Sequence, residues 1–152
     1  MKIIAHRGNT DGPDPDNENT IPQIKKSIDL GFNVEIDLRV INDELWLGHD
    51  KPKVRVSSEF LYEIRSFLWI HCKNIKALEF FKREQNIYNY FWHEKDAYTL
   101  TSKLFIWSYP GQKLSSKCIF VMPEWEIDLK QISSLKLKNI AGICTDYPIE
   151  LL

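Results

Sequence analysis

The chain is poor in cysteine, and the little it has follows no pattern. Cys72, Cys118 and Cys144 are odd in number and widely scattered. That argues against a disulfide framework or a zinc knuckle and reads as buried thiols in a reducing, cytoplasmic setting. Neither sign of charge is in surplus, with 20 Lys and Arg against 21 Asp and Glu. No overall field therefore draws the chain to nucleic acid or to an anionic membrane. Long apolar runs are missing as well. The opening Met1-Lys2-Ile3-Ile4-Ala5 is too short for a signal peptide, and no later run could span a bilayer. No linker composition and no internal repeat breaks the 152 residues, so one domain over 1–152 is expected.

Aromatic side chains, by contrast, are plentiful. Trp46, Trp69, Trp92, Trp107 and Trp125 read as core or pocket wall in a chain this small, and such a chain could form a homodimer. Short apolar strands alternate with short helices. Residues 2–5 form a strand, and 9–19 have the Asp, Asn, Gly and Pro content of a loop. Thr20 then caps a helix with Gln23 as its capping-box partner, Ile21, Ile24 and Ile28 as its buried stripe and Gly31 as its stop. Strand 33–38 follows, and 45–47 is a further strand after the Asn42-Asp43 turn. Ser57 or Ser58 opens a helix, 68–71 is a strand, and Ile75, Leu78 and Phe81 mark another helix. Strands are predicted at 88–92, 104–107, 118–122 and 140–144. A helical turn is expected after Asp96, and a helix from Asp128 through Ile132 and Leu135. Lys136 and Lys138 read as a solvated face.

This alternation predicts an α/β fold with parallel strands, in which polar residues should gather at the strand C-termini. Such residues recur there: His6-Arg7, Glu35 and Asp37, His71 and Lys73, His93-Glu94, Glu124 and Asp146. Glu35 and Asp37 lie two apart and so share one face of a strand otherwise made of Val34, Ile36 and Leu38. Two adjacent acids repel each other. They belong either on a solvated edge or around a hard divalent cation.

Four ordered motifs make the chain similar to the glycerophosphodiester phosphodiesterase family, within the phosphatidylinositol-phospholipase-C-like superfamily. They are His6-Arg7-Gly8 with Asn17-Glu18-Asn19-Thr20, the Gly31 to Asp37 stretch with its Glu-x-Asp, Gly48-His49-Asp50, and Gly142-Ile143-Cys144-Thr145-Asp146-Tyr147-Pro148. The resemblance implies a small or truncated (β/α) barrel with shortened helices, hydrolysis of a small-molecule phosphodiester linked to glycerol or a sugar, and one divalent metal ion. Mg²⁺ or Ca²⁺ is the first expectation and Mn²⁺ or Zn²⁺ the alternative. It implies His6 and His49 as the acid/base pair, Arg7 and Lys73 as phosphate contacts, and Glu35 and Asp37 as metal ligands. The position expected to supply a third carboxylate falls on His71, which can also ligate a metal, and Glu94 and Glu124 are the substitutes. His93, Trp107, Tyr109, Trp125 and Asp146 are further pocket candidates. The competing readings are a phosphomonoesterase and a non-catalytic module that binds a phosphoryl ligand.

Overall fold

The computed structural model describes residues 1–84, 86–132, 134 and 139–152. The expected continuation of the last helix through Leu135, and the Lys136 and Lys138 face, lie outside these residues. Among the described residues ten strands form one sheet, with short helices interleaved between them along the chain.

β1 (Lys2–Ala5) pairs in parallel with β10 (Gly142–Thr145) and with β2 (Asn33–Ile41). On its other edge β2 carries β5 (Leu68–Cys72), which carries β6 (Asn89–Phe91). In the other direction β10 is followed by β9 (Cys118–Val121) and β8 (Ile106–Ser108), all parallel. β7 (Tyr98–Leu100) runs antiparallel beside β8.

The seam between β6 and β7 carries individual hydrogen bonds. Ser102 N donates to the Tyr90 carbonyl at 2.8 Å, Ser102 Oγ accepts from Tyr90 N at 3.0 Å, and Thr99 Oγ1 donates to the Trp92 carbonyl at 2.8 Å. The result is a small, atypical β/α barrel. Its parallel staves are as expected, and β7 stands where a helical turn after Asp96 was expected. Residues 94–97 form bends and irregular chain there, with no helical turn.

Strand alternation divides the side chains into layers. Ile4, Trp69, Phe91, Trp107, Ile119, Val121 and Cys144 point inward and pack together as the barrel interior. Val34, Ile36, Leu38, Leu68, Ile70 and Cys72 point outward beneath α1 (Ile21–Asp29), α2 (Ser58–Glu63) and α3 (Ile75–Arg83). Ile3, Phe120, Ile140, Ile143 and Leu151 form a third cluster on the far side. Among the described residues no α-helix lies between β6 and β8, and Tyr98, Leu100 and Leu104 stay exposed there. No helix among the described residues is long and apolar enough to cross a membrane.

The local signals mostly act as expected. Asn42 and Asp43 both take positive φ, 50° and 62°, and turn β2 into β3 (Glu44–Leu47), as a tight hairpin requires. A third strand, β4 (Val54–Val56), extends that hairpin. Ser57 Oγ accepts from Phe60 N at 3.2 Å and caps α2. Asp128 Oδ1 accepts from Lys130 N at 2.9 Å at the start of α4 (Leu129–Ile132).

Thr20 does not cap α1. Its hydroxyl donates to the Asn17 carbonyl at 2.6 Å, and Gln23 Nε2 reaches the Gly8 carbonyl at 3.0 Å. Ser27 Oγ donates to the same carbonyl at 2.6 Å. Gln23 is drawn away from capping because the turn after β1 has a buried carbonyl to satisfy. The helix is thereby tied to the turn that carries His6 and Arg7.

Candidate metal and acid/base site

Register brings the central residues together. Asp37 on β2 stands opposite His71 on β5, and both point into the barrel mouth beside Glu35. One ligand atom from each of Glu35, Asp37 and His71 lies within 4.8 Å of the others. All three residues are buried. His71 Nε2–H donates to the His93 carbonyl at 2.9 Å, which leaves Nδ1 facing Asp37 Oδ1 at 3.1 Å and Glu35 Oε1 at 3.9 Å. His71 also stacks on Phe91, with ring centres 5.2 Å apart.

Asp37 is held by several groups at once. Its Oδ2 accepts from Asn19 Nδ2 at 2.9 Å, and its backbone N–H donates to Asn19 Oδ1 at 2.9 Å. Arg7 Nε lies 3.3 Å from Oδ2, and Lys73 Nζ lies 3.8 Å from Oδ1. Buried Oδ1 nevertheless has no hydrogen bond. An orphan carboxylate oxygen beside an imidazole nitrogen and a second carboxylate is a donor set that fits a divalent cation.

The two acids respond differently to this environment. Burial raises both. Glu35 stays above its usual range because Asp37 adds repulsion, and His6, His71 and Arg7 only partly offset it. Asp37 falls below its range because His71 and Arg7 outweigh burial. An ionised Glu35 therefore works against the fold at neutral pH. Glu35→Gln can keep the bond that Oε2 accepts from Arg7 N at 3.0 Å. It is expected to raise the melting temperature of metal-free protein at pH 7 by roughly 2–4 °C, the shift about 1 kcal/mol gives in a chain of this size. The gain should vanish in acid, where the raised carboxyl of the wild type is already protonated. Thermal melts at two pH values check this, and an unchanged or lower melting temperature at pH 7 contradicts it.

The histidines flank this cluster. His6 Nδ1–H donates to Asp146 Oδ1 at 2.8 Å, an oxygen that also accepts from Asn9 Nδ2 at 2.8 Å. His49 Nδ1–H donates to Asp50 Oδ1 at 2.7 Å. Neither Nε2 is bonded among the described residues, and both rings line one cavity of about 700 Å³ together with Glu35, Asp37 and His71. Burial pushes His6 down, but the Asp146 hydrogen bond and the charges of Glu35 and Asp146 leave it raised. Burial lowers His49, Arg7 and Lys73 add to that, and Asp37 and Asp50 only partly offset them.

Backbone geometry places the two histidine segments. Arg7 adopts φ +52°, strained for a residue with a side chain. That turn aims its N–H at Glu35, while its Nη1 donates to Glu18 Oε1 at 3.0 Å. Gly48 sits at φ +138°, and a Cβ there would collide with the Lys51 carbonyl. Gly48→Ala should destabilise the protein by about 1–3 kcal/mol, read as a fall in melting temperature; an unchanged melt would contradict that placement. Lys53 Nζ clamps the 9–19 loop through the carbonyls of Pro15, Asp16 and Glu18 at 2.7–3.0 Å.

The other sequence candidates separate. Lys73, His93, Glu94, Tyr109 and Trp125 line the cavity. Glu94 lies outside the metal cluster, as does Glu124, whose Oε1 accepts from Asp146 N at 2.8 Å. His93 stacks on Tyr109 at 4.1 Å, and burial lowers its ring to about 4. Trp107 also lines the cavity while staying a core residue at 2% exposure, whereas Trp125 is 65% exposed at the rim. Asp146 orients His6. Asn9 and Asn19, absent from the candidates, orient Asp146 and Asp37. Asn19 at φ +55° is the kind of left-handed position Asn tolerates, but sequence alone does not show which carboxylate it meets.

No family model and no curated protein sequence matches the chain. Solved structures do. A glycerophosphodiester phosphodiesterase from Agrobacterium tumefaciens superposes with a TM-score of 0.64 at 14% identity, covering 99% of this chain and 97% of the other. A glycerophosphoryl diester phosphodiesterase from Parabacteroides distasonis gives 0.61 at 14% identity, covering 99% and 84%. At such identity the likeness is one of fold, and the chain has the fold of the glycerophosphodiester phosphodiesterases.

Proposed function

We propose that this protein hydrolyses a small-molecule phosphodiester, one linked to glycerol or a sugar, in a reaction that depends on a divalent metal. The observation that carries this reading is the convergence of Glu35, Asp37 and His71 between two histidines with free Nε2 atoms, at the mouth of a barrel of this fold. Glu35, Asp37 and His71 would hold the cation. When bound, it supplies Lewis-acid polarisation of phosphoryl and nucleophile oxygens.

The chain's own groups do the rest. Arg7 and Lys73 bring positive charge to the phosphoryl oxygens, Arg7 as a planar fork and Lys73 as a point charge. Opposite shifts of the two histidines divide their roles, as separated pairs do in acid/base sites. His49, lowered, is neutral and takes the proton of an attacking hydroxyl on the substrate. His6, raised and held by Asp146, keeps its proton to higher pH than an ordinary histidine and is the one to give a proton to the departing alkoxide. The phosphorus–oxygen bond to the attacking hydroxyl forms as that to the leaving alcohol breaks. Water then opens the resulting cyclic phosphate with the proton movements reversed.

A screen of metal-stripped protein against phosphodiesters and phosphomonoesters, with Mg²⁺, Ca²⁺, Mn²⁺ or Zn²⁺ restored, tests the reading. Cleavage of diesters only with metal is the expected result. Cleavage of monoesters alone, or ligand binding with no turnover under any metal, would replace it with one of the rival functions.

A further inference from the structure

We propose that His71 makes this centre select a transition-metal dication, Zn²⁺ foremost and Mn²⁺ after it, over Mg²⁺ and Ca²⁺. The inference rests on the proposed cation site and specifies which ions it takes.

The hydrogen bond from Nε2–H to the His93 carbonyl, 2.9 Å long, fixes the ring tautomer and leaves the lone pair on Nδ1. That lone pair faces Asp37 Oδ1 at 3.1 Å and Glu35 Oε1 at 3.9 Å, both acceptors. Three atoms able to ligate a metal converge there in a buried space, and two carboxylates are costly to enclose so closely unless a cation lies among them. The ring is held in that aim: it stacks on Phe91 and is only 8% exposed. His6 and His49 use their Nδ1 atoms on Asp146 and Asp50 and are not fixed the same way.

Two features then favour the softer ions. Mg²⁺ and Ca²⁺ prefer oxygen shells, and an imidazole nitrogen is a poor donor to them; Zn²⁺ accepts it readily, and Mn²⁺, itself partial to oxygen, accepts it better than Mg²⁺ or Ca²⁺ does. The negative charge of the site is also small. Among the described residues two carboxylates join the cluster, and Arg7 and Lys73 sit 3.3 and 3.8 Å from Asp37. A purely electrostatic hold on a hard ion is weakened by those cations, whereas the covalent part of a nitrogen–metal bond is not.

The test reads binding without substrate. Metal-stripped wild-type protein is titrated calorimetrically with Mn²⁺, Zn²⁺, Mg²⁺ and Ca²⁺, and the Mn²⁺ form is examined by electron spin-echo modulation for a coupled imidazole nitrogen. The transition ions are expected to bind about tenfold or more tighter than Mg²⁺ and Ca²⁺, with nitrogen modulation present. In H71E the preference should shrink and the modulation disappear. Mg²⁺ or Ca²⁺ bound as tightly as Mn²⁺ by the wild type, no nitrogen modulation, or modulation that survives in H71E would overturn the inference. The wild-type measurements decide the matter even if H71E folds poorly. Diester cleavage alongside the wrong selectivity would sink this inference alone. The right selectivity without cleavage would sink the proposed function alone.

Discussion

Replacing His49 by alanine is expected to lower kcat on a phosphodiester by about 10²–10⁴-fold, the usual contribution of a positioned general base. His6→Ala should cost as much, but the two losses should differ in their pH profiles. His49 must be neutral to take a proton, so wild-type activity falls as pH drops through its lowered value, below the ordinary histidine range. His6 must be protonated to give one, so activity falls as pH rises through its raised value. The wild type should therefore show a plateau between two limbs. His49→Ala should lose the acid limb and His6→Ala the alkaline limb, with circular dichroism unchanged. Wild-type turnover in both variants, or the opposite assignment of limbs, would contradict the mechanism.

Asp37→Asn should have the second large effect, on activity and on stability together. It removes one ligand of the proposed metal, and the loss of several kcal/mol of transition-state stabilisation corresponds to about 10³-fold or more in turnover. It also strips the negative partner from Arg7 and Lys73 in a buried setting. Breaking a buried pair from one side costs about 3–5 kcal/mol, which unfolding in denaturant would register. The stabilising charge is present above the ordinary aspartate range and is lost as pH falls through the lowered value of the folded state. Glu35→Gln, the same chemical change two residues earlier, should instead stabilise metal-free protein. The contrast arises because cations surround Asp37, while Glu35 chiefly feels burial and its acidic neighbour.

The local parts of this site are legible in the sequence. Alternation places Glu35 and Asp37 on one face of β2 whatever the strand pairs with. Asn42-Asp43 announces a tight turn, and Ser57 announces a helix cap. What sequence does not show is pairing across long separations. The register that sets His71 against Asp37 depends on how β5 docks on β2, and the contacts of Asn9 with Asp146 and Asn19 with Asp37 follow from closing the barrel. Polar groups with two local options are the other source of misreading. The Thr20 hydroxyl had the first turn of α1 within reach and bonded the Asn17 carbonyl, while Gln23 went to the buried Gly8 carbonyl. Asp96 resembled a helix cap, yet the chain beyond it forms β7 and fills the gap between β6 and β8. Glu94 and Glu124 follow strands just as Glu35 does, but one lies along the cavity outside the cluster and the other bonds the Asp146 backbone.

Anomalous diffraction from a crystal grown with Mn²⁺ addresses the metal cluster itself. The expected map shows one strong peak in contact with carboxylate oxygens of Glu35 and Asp37 and with Nδ1 of His71, opening toward His6 and His49. A map with no peak there, and His71 Nδ1 hydrogen-bonded directly to Asp37, would mean that the ring itself stands where the account places a cation.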